Sequence, residues 1–400
     1  MKSLAPGALD ESVNDRGSDH RCRVLFMYWG RRGLTQFVLE LARAAFADPT
    51  LAATISVSRQ NESFTQFEIL GGDIVAIETF ATNLGALARP WKILQLRRMI
   101  AEVVVRQRIE VVIDLMPHVW SSFAAAAVRA AGARYVVIAH DADAHPGDYR
   151  SGSVKLLLDR AVAKADRVLT LSTAVARRLI ERRLVPEERI STLFHPDVSH
   201  GEPCLRPPPG QGEPMRLFFL GRIMPYKGLG LFLDTVDLFR ANGVSVEVGV
   251  FGEGDLGLLG ARLRDSGAEV INRWLSSQEI SETLARCHAV VLSHTEASQS
   301  GVAAMALAAG VPVVATPVGG LVEQVQDGIT GTIASSTDAP ALAAAITRLL
   351  LDPALYKTVC AKIAQSSEQR SMTRFVRDCV ACAVHGTGGS ATAVPAEKVR

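Results

Sequence analysis

The chain has 400 residues, of which 48% are hydrophobic and 21% charged, and its 43 basic and 41 acidic side chains leave a net charge of +2. This is the composition of a globular protein of roughly two to three domains, and it excludes a low-complexity chain or a dedicated nucleic-acid binder with a strong basic excess. The six scattered cysteines, with no secretory leader pattern before them, imply reduced thiols and a cytoplasmic location rather than a disulfide framework.

Residues 1–20 and 386–400 are polar and without period, so both are expected to be disordered tails. A first domain is expected over 21–199. It opens with the strand RVLFMYW, a turn at Gly30, Arg31, Arg32 and Gly33, and the amphipathic helix FVLELARAAF. The turn should face a cleft and approach whatever ligand binds there. It lacks the G-x-G-x-x-G spacing of a dinucleotide fingerprint, which counts against hydride transfer. Arg89 to Arg108 mixes cations with Trp91, Ile93, Leu94 and Leu96; it reads either as a solvated basic helix or as a surface for anionic lipid.

The strand VVIDLM at Val111 to Met116 leads to a turn holding His118, a weaker cleft candidate whose alternative is a satisfied loop histidine. An Ala-rich helix and the strand RYVVIAH follow. His140 ends that strand and begins H-D-A-D-A-H-P-G, so His140, Asp141, Asp143 and His145 gather at the sheet's C-terminal edge, where ligands bind in parallel sheets. A metal site is one reading of this cluster, though no metal is expected. A helix from Ser153 to Ala165, the strand DRVLTLS and the helix TAVARRLIERR complete the unit. Alternating strands and helices imply α/β architecture with a parallel sheet covered on both faces.

Five prolines and three glycines in HGEPCLRPPPGQGEP mark an interdomain linker over 200–214. A second domain is expected over 215–366, with strands RLFFLG, VEVGVFG, AEVINRW, HAVVLSH and VPVVAT. Helices alternate with them near Leu229 to Asn242 and Leu256 to Ser266, then after the capping box Ser276 to Glu279, after Gln299, and from Pro340 to Leu351. Ala297 to Val322 carries no charge and is long enough to cross a bilayer, but Gly310 and Pro312 divide it. A buried helix and a buried strand are the better reading. A last helix over 367–385 is expected to cross back to the first domain. It holds Cys379 and Cys382 as C-x-x-C, which lacks the partners of a zinc site and reads as structural.

Chemistry concentrates between Phe219 and Gly331. Gly221 permits a tight turn after a strand, and Arg222 and Lys227 stand five residues apart on it, where two cations could hold a diphosphate; the alternative is a pair of solvated loop charges. At Ser298 to Val302 small residues enter a helix, so the N–H groups of Ser300, Gly301 and Val302 are free to meet an anion. Gly252 and Gly254 form a second turn, which with Arg273 and Trp274 could face a base. Glu323, after Gly319 and Gly320, reads equally as a contact to the bound ligand or as a carboxylate favoured by a helix dipole.

These segments, LGRIMPYKG, FGEG, EASQSGV, ALAAGVPVVAT and VGGLVEQVQDGITG, together resemble the donor half of a retaining glycosyltransferase of family 4, with the GT-B fold. The Q-S-G-V form is similar to a variant in bacterial surface-polysaccharide enzymes. The likeness is strong over 216–352 and weaker before it, through the Gly30 to Gly33 loop and His140. It implies that Arg222 and Lys227 hold the nucleotide diphosphate and that His140 touches the donor sugar near the reacting carbon. The family's E-x7-E pair falls here on Ala297 and Met305. Glu296, one residue earlier, is the candidate to take over donor-sugar contact, while Met305 offers no ribose acceptor comparable to Glu. Gln299 and Ser300 then become side-chain candidates for phosphate or sugar.

The resemblance implies a nucleotide-sugar donor, a glycan, lipid-linked or small-molecule acceptor, retention of anomeric configuration, and no cofactor. Polysaccharide or glycoconjugate synthesis is the expected setting, with peripheral contact to the inner membrane surface if the acceptor is lipid-borne. Two alternatives stay open: a GT-B protein that binds nucleotide sugars or glycans without turnover, and a nucleotide-sugar epimerase.

Overall fold

The computed structural model describes residues 21–79, 90–143, 152–204 and 207–386; residues 1–20 and 387–400 of the expected tails, Arg89 and His145 lie outside them. The first half contains strands β1 (Cys22–Tyr28), β2 (Leu51–Ser58), β3 (Asp73–Ile77), β4 (Val111–Met116), β5 (Arg134–Ala139), β6 (Arg167–Thr170) and β7 (Ile190–Thr192). Its helices are α1 (Thr35–Ala47), α2 (Phe64–Ile69), α3 (Pro90–Gln107), α4 (Ser121–Ala130), α5 (Gly152–Ala163) and α6 (Thr173–Glu181). The seven strands form one parallel sheet in the order β3-β2-β1-β4-β5-β6-β7. Apolar residues point to both faces, as a sheet covered on both sides requires: Val24, Phe26 and Ile113 to one core, Leu25, Met27 and Val112 to the other.

β2 and β3 have no counterpart in the sequence reading, and neither do the short edge strands at Ile190–Thr192 and Gly331–Ile333. β2 carries Thr54, Ser56 and Ser58 where a buried strand would ordinarily be apolar. All three are buried, and each is satisfied by a side chain at least about twenty residues away: Thr54 by Gln107, Ser56 by the Trp29 indole at 3.0 Å, and Ser58 by Thr79 at 2.7 Å. Long-range polar pairing hid the strand.

The second half contains β8 (Met215–Leu220), β9 (Val246–Phe251), β10 (Glu269–Ile271), β11 (Ala289–Leu292), β12 (Val313–Ala315) and β13 (Gly331–Ile333), parallel in the order β10-β9-β8-β11-β12-β13. Around them lie α7 (Leu229–Ala241), α8 (Leu259–Asp265), α9 (Ser277–Arg286), α10 (Gly301–Ala308), α11 (Leu321–Gln324), α12 (Ala339–Leu350) and α13 (Pro353–Gln365). The capping box of α9 is present, with Ser276 and Glu279 each bonding the other's backbone. α8 starts later than the sequence suggests, and α13 was not foreseen. Asp352 caps α13, accepting from the amides of Ala354 and Leu355.

The charge-free run beginning at Ala297 divides into α10 and β12, and among the described residues no helix is long and apolar enough to cross a membrane. The last helix, α14 (Met372–His385), packs Met372, Phe375, Val376, Cys379 and Val380 into the core of the first sheet. Cys379 and Cys382 are buried thiols there. The Arg377 guanidinium meets the Asp48 carboxylate at 2.9 Å, and Arg370, just before α14, meets Asp197 at 2.9 Å. The chain thus returns to the sheet on which it began.

Candidate active site

Each parallel sheet has one point where the strand order reverses, so that the connections leave to opposite sides: β1 beside β4 in the first, β8 beside β11 in the second. Loops leaving such strands diverge and open a crevice at the C-terminal edge. The Gly30 to Gly33 loop and the His118 turn leave the first switch point, with His140 just after the next strand. Arg222 to Lys227 and Ser293 to Ser300 leave the second.

The cation loop is strapped down. Gly221 has φ of +104°, and a Cβ there would come within 2.8 Å of Val302 Cγ2, so this turn touches the first turn of α10. At the other end, Gly228 has φ of +69°, and its carbonyl accepts from Ser293 Oγ at 2.9 Å. The Thr295 amide donates to the Tyr226 carbonyl at 2.8 Å. These bonds tie the loop to the end of β11. Lys227 Nζ consequently sits 3.2 Å from His294 Nε2 and 5.6 Å from the Tyr226 ring centroid. Burial lowers the Lys227 pKa to about 8; the nearby Arg222 charge adds to the shift, and Asp141 opposes it. Arg222 itself is exposed. The electrostatic contact with Asp141 is made across the two halves, because Asp141 follows β5.

The second glycine turn is a packing device. Gly252 has φ of +143°, and a Cβ there would overlap the Gly221 carbonyl. A Cβ on Gly254 would overlap the Ile223 carbonyl, while Asn272 bonds both the N–H and the carbonyl of Gly254 at 3.0 Å. Both glycines therefore let two backbone turns lie against each other. Trp274 is 45% exposed, with the Arg32 guanidinium 5.9 Å over its ring. Arg32 also approaches Glu253 at 4.0 Å, so the Gly30 to Gly33 loop reaches the second half through this residue. Gly30 is needed because a Cβ would meet the Tyr28 hydroxyl at 2.6 Å, whereas Gly33 faces open space; Arg31 is exposed.

At the start of α10, Ser300 acts through its side chain as an N-cap for Ala303. Its own N–H is taken by Gln324 Oε1 at 2.9 Å, which removes it from the expected anion donors. The N–H groups of Gly301 and Val302 have no acceptor among the described residues. Gln299 Oε1 is buried and likewise unpartnered among them. Glu296 is exposed and Ala297 buried. Met305 is packed against the cores of both halves, so the position that would carry a family glutamate lies in the apolar seam.

His140 is buried, with Nε2 2.8 Å from the Leu115 carbonyl. A carbonyl only accepts, so Nε2 carries the hydrogen and Nδ1 is the acceptor nitrogen of a neutral ring. Burial lowers the pKa of His140, against the effects of Leu115 and Asp141. Phe37 packs edge-on against it at 6.2 Å and against His195 at 6.1 Å. His118 is a satisfied loop residue. Its Nδ1 accepts from the Trp120 amide at 3.3 Å, Trp29 and Trp120 pack edge-on around it, and burial takes its pKa to about 4.

Glu323 turns toward the first half. Its carboxylate accepts from the Thr173 amide at 2.7 Å, the Thr173 hydroxyl at 2.6 Å and the Ala174 amide at 3.1 Å, at the start of α6. Next to it, Ser172 Oγ donates to the Ser298 carbonyl at 2.7 Å; sequence reasoning missed both contacts, and the parts played by His294 and Gln324, since each partner is remote in sequence. Among the described residues no cluster of three or more His, Cys, Asp or Glu could hold a metal; Asp143 instead pairs with Arg178 at 2.6 Å.

Two family models match the chain: "Glycosyl transferase 4-like domain" over residues 31–193 and "Glycosyl transferases group 1" over 214–352. The chain is 33% identical over 206 residues to a D-inositol 3-phosphate glycosyltransferase of Mycobacterium marinum, covering 48% of this chain and 43% of that protein. It is 30% identical over 269 residues to the protein of the same name from Geodermatophilus obscurus, covering 60% and 58%. The chain thus spans about half the length of these curated relatives. Among solved structures, Anabaena Alr3699/HepE in complex with UDP and glucose superposes with a TM-score of 0.68 at 17% identity, covering 90% of this chain and 98% of that one.

Proposed function

The chain belongs to the glycosyltransferases of the family 4 type, with the GT-B fold, and from that premise we propose that it moves a sugar from a nucleotide diphosphate sugar to an acceptor hydroxyl. One observation supports this most: a fixed lysine and a neighbouring arginine share a turn that touches the start of α10, where the Gly301 and Val302 N–H groups are available. Two cations and a helix start suit a diphosphate leaving group, whose charge grows in the transition state. The UDP complexes of HepE support a nucleotide as the bound group.

In this reading Arg222 and Lys227 stabilise the departing diphosphate. Neutral His140 offers Nδ1 as an acceptor to a sugar hydroxyl, and the leaving phosphate takes the acceptor's proton on the same face, which retains anomeric configuration. No nucleophile and acid pair of carboxylates is required. Glu296 stands at the exposed rim as the candidate donor-sugar carboxylate. Trp274, exposed and covered on one face by Arg32, is a candidate for the base.

The test is product analysis with the purified full chain and UDP-, GDP-, ADP- and dTDP-sugars, with and without hydroxyl acceptors. Transfer with retention, lost in Lys227→Ala, supports the proposal. Binding without turnover supports a non-catalytic nucleotide-sugar binder, a reading that the apolar Met305 favours. A rearranged donor without acceptor indicates an epimerase.

A lipid-linked acceptor, in polysaccharide or glycoconjugate synthesis, is the finer reading. On α3, Trp91, Leu94 and Val105 are 55%, 57% and 64% exposed, and Arg97, Arg98 and Arg106 stand exposed among them. An apolar stripe flanked by arginines suits anionic headgroups. Flotation with vesicles containing phosphatidylglycerol is expected to carry the protein, and Arg97→Glu/Arg98→Glu to abolish this; equal flotation of both removes the membrane contact.

A further inference from the structure

Helix α11 has only four residues, and its last two side chains leave in opposite directions. Glu323 reaches the first half and holds the start of α6 through three hydrogen bonds. Gln324 reaches back into its own half and brackets Ser300, its Oε1 accepting from the Ser300 amide and its Nε2 donating to the Ser300 carbonyl, both at 2.9 Å. The same turn is held from the other side. Ser172, the N-cap of α6, donates from Oγ to the Ser298 carbonyl at 2.7 Å. Gly320 keeps the pieces close: a Cβ there would come within 2.9 Å of Ser172 Cβ and would overlap the Ser298 carbonyl.

Ser298 and Ser300 are therefore both pinned by contacts that depend, directly or through α11, on where α6 stands. Gln299 lies between them with its Oε1 buried and unsatisfied among the described residues. A buried acceptor without a donor is costly, so this turn is held in a shape set by its anchors rather than by its own hydrogen bonding. We infer that α11 is a coupling element: Glu323 and Gln324 are positioning residues that link the approach of the two domains to the shape of the turn feeding α10. The inference rests on the reading of that turn as the donor-phosphate site for its functional meaning, but the coupling itself needs no ligand.

Hydrogen exchange with mass spectrometry on the unliganded full chain tests it. Glu323→Ala should raise exchange roughly tenfold in peptides spanning Leu171 to Arg178 and also in those spanning Ala297 to Ala303. Gln324→Ala should do the same in the reverse direction. Glu323→Gln, which keeps one acceptor oxygen, should fall between, and Thr173→Val, which deletes only the hydroxyl, should reproduce part of the effect. If each alanine variant quickens only its own segment, the coupling is overturned. Saturating UDP should then slow both segments in the wild type. Coupling without any response to UDP would count against the donor site and leave the coupling intact.

Discussion

In the proposed transfer Lys227 is the residue on which most of the chemistry turns, and its lowered pKa makes a directional prediction. With a pKa of about 8, it is cationic below that pH and loses its charge as pH rises through it. A bound diphosphate would stabilise the cation, so calorimetric affinity for a UDP-sugar, whose phosphates do not titrate near neutral pH, should hold between about pH 6 and 7.5 and weaken as pH rises above about 8, by up to about tenfold per pH unit. Lys227→Arg should flatten that dependence, because a guanidinium stays charged. Met305 supports a second prediction. Met305→Glu, at the position where the resemblance places a family glutamate, would put a carboxyl between two apolar cores, so it should destabilise the fold by about 1–3 kcal/mol in denaturant titrations rather than tighten nucleotide binding. The placement of Arg222 and Lys227 on one turn was legible because it depends only on local spacing. Glu323 was not: its partner Thr173 lies 150 residues away, and nothing near Glu323 marks which helix start its carboxylate meets.

At the level of elements, long apolar strands with punctuating turns declare themselves. β4 has the bounds expected from VVIDLM, while the edge strand β10 keeps only three residues because Asn272 leaves the sheet to bond Gly254. β2 stayed hidden because its polar face is buried and paired at long range. The glycine turns carry their own test. Gly252→Ala would force a side chain into a φ of +143° and onto the Gly221 backbone, so a loss of about 1–3 kcal/mol is expected in thermal unfolding, together with weaker nucleotide binding. An unchanged melting temperature would show that the two turns do not depend on this close approach.

For the whole molecule, the alternation of strand and helix and the proline-rich break foretold two parallel sheets, and the resemblance supplied their GT-B assembly. What the sequence could not display is how the halves meet: α14 packed on the first sheet, Met305 in the seam, Arg32 over Trp274, and α11 between α6 and α10. Those contacts are products of assembly and have no periodicity to read. The central claim is that Arg222, Lys227 and the start of α10 form a nucleotide diphosphate site. Thermal shift of the wild type against UDP-, GDP-, ADP- and dTDP-sugars tests it most directly, since ligand binding to the folded state raises apparent stability. At least one donor is predicted to raise the melting temperature of the wild type and to leave Lys227→Ala and Arg222→Ala unmoved. No shift with any donor, or an equal shift in all three proteins, would contradict it.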